Sequence, residues 1–315
     1  MLTNWRNRSL SPETLGLLFG FLGVFSFSLT LPATRLAVAG LNPIFVGLGR
    51  GVVAGLLATG LLWATRQPWP NWRQWRSLAV VALGVVLGFP ILSAWAMQRL
   101  PAAHGAVVLG LLPLLTALAG VVRSGERPSR LFWLASVIGS ATVVGFAVSQ
   151  GAVHPGGLSG AEMYGADLVL LGAVIAAAIG YAEGGKLAQE IGGWQVICWA
   201  LVLAAPLELI PTLGLAQSTG VMQAGWISWL GFAYLCLVSQ FLGFFAWYHG
   251  LGLGGVARVS QMQLLQPFLT ILFSALLLRE QVSPQTIGAA LLVIGSVAVG
   301  RRAKIRRRSH GESSS

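Results

Sequence analysis

Apolar residues dominate ten stretches of this chain, each about 20 residues long, the length at which a helix rising ~1.5 Å per residue crosses a ~30 Å hydrocarbon core. The stretches fall at 14–36, 43–64, 78–97, 102–122, 131–148, 165–187, 194–213, 226–248, 256–278 and 284–300, with short charged, polar or Gly/Pro-bearing breaks between them. They are continuous rather than alternating. The pattern therefore predicts an all-α integral membrane protein, not a barrel of ~10-residue alternating strands. Polar positions inside the runs are few and ordered. Ser26, Thr30 and Thr34 follow at four-residue steps on one face of the first run, and Ser260, Gln263, Gln266, Thr270 and Ser274 lie on one side of the ninth. Gly47, Gly51 and Gly55 form a small-residue ridge on the second run that admits another backbone.

The stretch at 103–129 is written a second time at 257–283. Pro113, Thr116 and Glu126 recur 154 positions later as Pro267, Thr270 and Glu280, and Leu111, Leu115 and Leu118 recur in the same register as Leu265, Leu269 and Leu272. In each copy an apolar helix with a mid-segment proline ends at a lone acid, and Ser129 or Ser283 opens the next run. A repeat spaced near half of the 315 residues predicts a duplicated fold. Five spans per half is an odd number, so the second copy crosses in the opposite sense. The expected architecture is ten transmembrane helices as two inverted five-helix repeats. The expected boundaries are 1–150 for the first repeat, 151–163 for a Gly-rich connection, 164–300 for the second repeat and 301–315 for a basic tail. Arg6, Arg8 and the apolar run that follows look like a secretory leader. That run exceeds a signal core of about 7–15 residues, and the duplication needs it as a first helix, so it reads as a retained span.

Composition sharpens this picture. The chain is 55% hydrophobic and 9% charged, with mean hydropathy +0.75, whereas soluble domains are about 25% charged. Its net charge of +11 does not point to nucleic acid, because six of the twenty basic residues lie at 301–308, directly after the last apolar run. There they act as an orientation signal and a contact for lipid headgroups. With both termini cytoplasmic, that side collects Arg6, Arg8, Arg66, Arg73, Arg76, Arg123, Arg127, Arg130, Lys186 and the tail, while Arg35, Arg99 and Arg279 remain opposite. The expectation is a multi-pass protein of the plasma (inner) membrane. Trp69, Trp72 and Trp75 in the basic 66–76 loop suit the headgroup zone, and Cys198 and Cys236 fall inside apolar runs as small hydrophobes.

These features resemble the EamA-type permeases of the drug/metabolite transporter superfamily. The resemblance lies in Leu111-Leu112-Pro113 to Glu126-Arg127-Pro128-Ser129 and its second copy, Leu265-Gln266-Pro267 to Glu280-Gln281-Val282-Ser283, with Arg50, Arg35 and Lys186 in support. It implies ten helices in two inverted halves around a cavity lined mainly by spans 1, 3, 4, 6, 8 and 9. It also implies export or exchange of small metabolites such as amino acids. This chain departs from a strict repeat in carrying Ala141 where span 10 has Gly295, and in the extra arginines of its first junction.

Several residues are candidates for chemistry, each beside a plainer reading. Arg50 lies ~10 Å into its helix, where it either clamps a carboxylate or phosphate of a substrate or holds neighbouring helix ends. Tyr181 and Glu183 stand near Lys186. Glu183 and Lys186 are three apart and form either a boundary ion pair or a protonatable gate. Gln263, Gln266 and Thr270 beside Pro267 face another helix or a cavity, as do Ser26 and Thr30. His104 and His249 relay protons or are simply hydrated. Trp95, Trp199, Trp247 and Tyr248 form an aromatic wall or anchor in headgroups. Glu126 and Glu280 read as favourable charge at the starts of spans 5 and 10. The histidines, His154 and His310 included, have no metal-ligand spacing, so no metal or cofactor is expected. The Gly-rich stretch at 250–255 follows no strand and is not a nucleotide loop.

The expected cavity residues are thus Ser26, Thr30, Arg50, Trp95, His104, Tyr181, Glu183, Tyr248, Gln263, Gln266 and Thr270. The expected activity is secondary transport of a small organic solute by alternating access, in the outward direction, with the bilayer as the other partner. No ATP-binding motif is present, which leaves a gradient, of protons for example, as the driving force. No HExxH or nucleophile-base pair stands out, so an intramembrane lipid-handling enzyme ranks below transport, as does a passive channel.

Overall fold

The computed structural model describes residues 11–124, 130, 131, 134, 137–139, 141, 142, 145, 146, 160–218 and 221–301. Most of the expected connection at 151–163, the tail beyond 301, and Glu126, His154 and His310 lie outside the described residues.

Helix α1 (Pro12–Ser28) starts at a serine cap, Ser11 Oγ accepting from the Thr14 N–H, with a proline in its first turn. The expected first span is broken after Leu29 and continues as α2 (Thr30–Val38). Pro32 cannot donate to the Ser28 carbonyl one turn back, and that carbonyl instead accepts from Thr270 Oγ1 at 2.9 Å. Helix α3 (Pro43–Ala64) is capped by Asn42, whose Oδ1 accepts from Ile44 and Phe45 N–H. Helix α4 (Trp72–Val81) begins with a reciprocal Asn71/Gln74 capping box, passes into a π-helical segment, Ala82–Gly88, and resumes as α5 (Phe89–Met97). Helices α6 (Ala102–Leu109) and α7 (Leu112–Ser124) share the next span. Described residues of the fifth run are helical, with Thr142 Oγ1 donating to the Ile138 carbonyl.

Helices α8 (Gly160–Ile191) and α9 (Gly193–Ser218) are long and unbroken, although α9 contains Pro206 and Pro211. Helix α10 (Trp226–Tyr234) leads into a second π-helical segment, Leu235–Leu242, and then α11 (Gly243–Gly254). A short α12 (Val256–Val259) and a 3₁₀ turn, Ser260–Leu265, precede α13 (Gln266–Leu278). Helix α14 (Pro284–Arg301) opens as its sequence predicts, with Ser283 Oγ accepting from Thr286 N–H. Among the described residues, seven helical runs are long and apolar enough to cross a membrane, from Pro12–Val38 to Trp226–Gly254, and two shorter apolar helices, Met262–Leu278 and Pro284–Ser296, follow. Among the described residues there is no strand.

The duplication extends into the backbone irregularities. Helices α7 and α13 begin at Leu112 and Gln266, 154 positions apart (266 − 112), each with its proline second. The π segments end at Gly88 and Leu242, again 154 apart (242 − 88). Such breaks need internal partners for the backbone groups they free, since lipid offers none. The glycine ridge serves close packing as expected: a Cβ on Gly47 would fall 2.8 Å from Ile91 Cα of α5. Helix α1 meets α11 the same way, with a Cβ on Gly16 only 2.6 Å from the backbone nitrogen of Gly254. Leu56, Leu168, Ile210 and Leu292 are turned outward, an apolar exterior suited to lipid, and Trp69 and Trp72 are exposed at one end.

One expectation is corrected here. Glu280 does not serve the helix that follows it. Its two oxygens accept from the Ala102 and Ala103 N–H groups at 3.0 and 2.9 Å, capping α6, and Oε1 lies 3.3 Å from Arg35 Nε. Arg35 Nη1 also donates to the Met97 and Leu100 carbonyls. The partners are far apart in sequence, and free N–H groups attract a carboxylate at whichever helix start the fold brings near.

Candidate substrate site

The irregular elements converge on a small central cavity whose free space, about 10 Å³, is that of a single water-sized sphere. Leu112 and Gln266, the first residues of α7 and α13, line it, as do Val85 and Ser239 from the two π segments. Phe89 and Phe244 follow those segments, and Phe27, Thr30, Arg50, Ala177 and Tyr181 complete the wall.

Arg50 is buried, with 2% of its surface exposed. Its Nε and Nη2 donate to one oxygen of Gln240 at 2.8 and 2.6 Å, and Gln240 Nε2 donates to the Val85 carbonyl at 3.3 Å. One charged fork thus ties α3 to both π segments. Arg50 Nη1 donates to no described residue, which leaves one edge of the guanidinium for a guest. Across the cavity Thr30 Oγ1 and Ser239 Oγ are 2.9 Å apart, a hydroxyl pair from α2 and the second π segment. Tyr181 stacks on Phe27 with ring centres 6.2 Å apart and packs edge-on against Phe244, giving the cavity an aromatic side. A cation, two hydroxyls, an amide and aromatic faces suit a small solute with an anionic end and an apolar portion.

Of the residues singled out by sequence, Thr30, Arg50, Tyr181 and Gln266 border this cavity. Thr270 bonds the Ser28 carbonyl nearby, and Gln263 is buried with its amide group unpartnered. Tyr248 lies behind Phe244 and donates to the Gly180 carbonyl. Ser26 turns back on its own helix to the Leu22 carbonyl, and Glu183 accepts from Ser77. Trp95 lies under the Arg99 guanidinium, 3.8 Å from the ring centre. Two plainer readings are corrected: Trp247 and Tyr248 are fully buried rather than headgroup anchors, and His104 is buried against Asp167, Nε2 to Oδ1 2.7 Å, rather than hydrated.

Four polar residues escaped the sequence reading: Ser239, Gln240, Asp167 and Glu208. Nothing along the chain marks Gln240, because its importance comes from a π segment that periodicity does not reveal. Glu208 did carry a signal, an acid inside an apolar run between two prolines.

A bundle of apolar helices, broken or π-bulged where they meet a buried cation at its centre, is built as a membrane solute carrier. The chain belongs to the EamA-like transporter family, whose model matches residues 14–148 and 165–300. It is similar to the uncharacterized transporter YdeK of Bacillus subtilis, with 45% identity over 93% of this chain and 99% of that one. It is also similar, at 26% identity over 91% of this chain and 94% of the relative, to a protein of Streptantibioticus cattleyicolor described as a "Probable terminal-alkyne amino-acid exporter". A crystal structure with 19% identity shares the fold at a TM-score of 0.63, over 91% of this chain and 96% of that one.

Proposed function

We propose that this transporter carries a small amino-acid-like organic solute outward across the plasma membrane by alternating access between two inverted halves of five helices, residues 1–150 and 164–300. The observation that carries the reading is Arg50, a buried guanidinium on the central cavity with two nitrogens engaged and one edge free. A carboxylate is the natural guest for that edge. The matched breaks at Leu112 and Gln266 and the matched π segments support two halves that exchange roles as the site opens to either side. The outward direction draws on the description of the Streptantibioticus relative. Both termini are assigned to the cytoplasm, since Arg66, Arg73 and Arg76 lie on the side shared with the ends of the chain and only Arg35, Arg99 and Arg279 lie opposite.

Counterflow in liposomes tests this. Vesicles holding the purified protein and preloaded with unlabelled propargylglycine, a terminal-alkyne amino acid, or with one of the common amino acids, should take up the labelled form transiently and saturably. Flux that neither saturates nor exchanges would assign a channel instead, and silence across the panel would remove the amino-acid reading.

A further inference from the structure

Buried acids in a membrane helix are costly, and the described ones here are mostly accounted for. Glu183 accepts from Ser77, Asp167 meets His104 through Oδ1 and leaves only Oδ2 unpartnered, and the half-buried Glu280 caps α6. Glu208 differs. Its side chain is fully buried, and neither carboxyl oxygen has a hydrogen-bond partner. The carboxyl group lies against α3 in the space left by a missing side chain: a Cβ on Gly51 would fall 2.5 Å from its carboxyl carbon. Gly51 adjoins Arg50, and Arg50 is the charged group that faces Glu208. Tyr181 of α8 and Cys236 of the second π segment face Arg50 itself. Tyr248 of α11 is engaged with Gly180; α4, which carries Arg73 and Arg76, meets α9 through Trp75 and Trp199, nine positions (208 − 199) or ~14 Å from Glu208, and His249 of α11 lies at the far end of α9, against Gly193. Glu208 is 15 positions along that helix, or ~22 Å.

We propose that Glu208 is a proton-binding site that works through Arg50: the acid takes up a proton as a substrate carboxylate engages the guanidinium, so that solute and proton travel together. The reason is charge balance. With Glu208 ionised, the carboxylate offsets the Arg50 charge through the width of one glycine. A guest carboxylate at the free edge of Arg50 would add a second negative charge to a buried site that holds one cation. Protonating Glu208 removes that conflict, and by linkage the proton and the carboxylate each strengthen the binding of the other. Solute leaving the cell then takes the proton with it, so the solute's own outward gradient drives exit, an acidic inside speeds it and an inward proton gradient opposes it.

The inference rests on the carrier reading above, yet its first test needs no substrate. Infrared difference spectra of the purified full-length protein in lipid nanodiscs, recorded as pH changes, should show a protonated-carboxyl stretch that vanishes in Glu208→Gln and persists, displaced, in Glu208→Asp. A band unaffected by Glu208→Gln overturns the proposal even if transport is intact. In liposomes, wild-type affinity for propargylglycine, or for whichever amino acid counterflows, should rise as pH falls, by up to about tenfold per pH unit, the limit for one linked proton. Glu208→Gln should keep counterflow and lose that dependence. Accumulation driven by a sodium gradient, or by a proton gradient of the opposite sense, also overturns it. A Glu208-dependent band without counterflow of any amino acid would instead sink the substrate reading and leave the proton site standing.

Discussion

Arg50 and Gln240 are 190 positions apart in sequence and meet through two hydrogen bonds to a single oxygen, at 2.8 and 2.6 Å. A fork of two nitrogens fixes the plane of the guanidinium and so fixes where its free edge points. Lysine offers a point charge without that plane. Arg50→Lys should therefore insert and elute as a monodisperse protein while losing at least about tenfold in counterflow rate, ~1.4 kcal/mol at the 25 °C conversion. Gln240→Leu removes the acceptor from a buried charge and should lower stability by about 1–3 kcal/mol, read as a lower unfolding midpoint in detergent.

Glu280 gathers the start of α6 and the end of α2 at one rim of the bundle. Loss of a helix cap costs about 0.5–2 kcal/mol. Glu280→Ala should lower the thermal midpoint accordingly. Glu280→Gln, which keeps one accepting oxygen, should fall between it and wild type. Equal midpoints for all three proteins would mean that the contact contributes nothing to stability.

Close approach of α1 and α11 depends on Gly16, where an added methyl would meet the backbone of Gly254 at 2.6 and 2.7 Å. Backbone cannot turn aside as a side chain can. Gly16→Ala should separate the two helices, at a cost of about 1–3 kcal/mol for overpacking. Gly214, exposed near the end of α9 with nothing within 4 Å of the place a methyl would take, is the control, and Gly214→Ala should leave the midpoint unchanged or raise it.

His104 and Asp167 pair inside the bundle, with Phe146 packed on the imidazole at 4.9 Å. Removing either partner strands the other away from water, so His104→Ala and Asp167→Ala should each cost about 1–3 kcal/mol. Because they lose the same contact, the double variant should cost less than the two single effects added together, with a coupling of about 0.5–3 kcal/mol in a thermal-unfolding cycle.

Much of the architecture is legible in the sequence because lipid imposes a single rule on it. Long uncharged runs must be helices that satisfy their own backbone, and Pro113, Pro267, Glu126 and Glu280 hold one register that betrays duplication. The same prolines mark where α7 and α13 begin, since a residue without an N–H sits comfortably in a first turn. Arg50 stands out for a related reason, as a charge where charges are expensive.

Partners are what the sequence withholds. Helical periodicity gives the face of one helix but not which helix covers it, so Glu280 could be read only as serving its nearest neighbour, whereas folding carries it to α6. The two π segments leave no mark in apolar periodicity, and with them stayed hidden Gln240, which holds Arg50, and Ser239, which lines the cavity beside it. The chain by itself determined that this protein lives in a membrane and is written twice, because desolvation acts on every residue independently of its neighbours and a repeat is a property of the residue order. Only the tertiary structure decided which polar groups share the centre, because a hydrogen bond depends on positions within a few tenths of an ångström that distant segments set together.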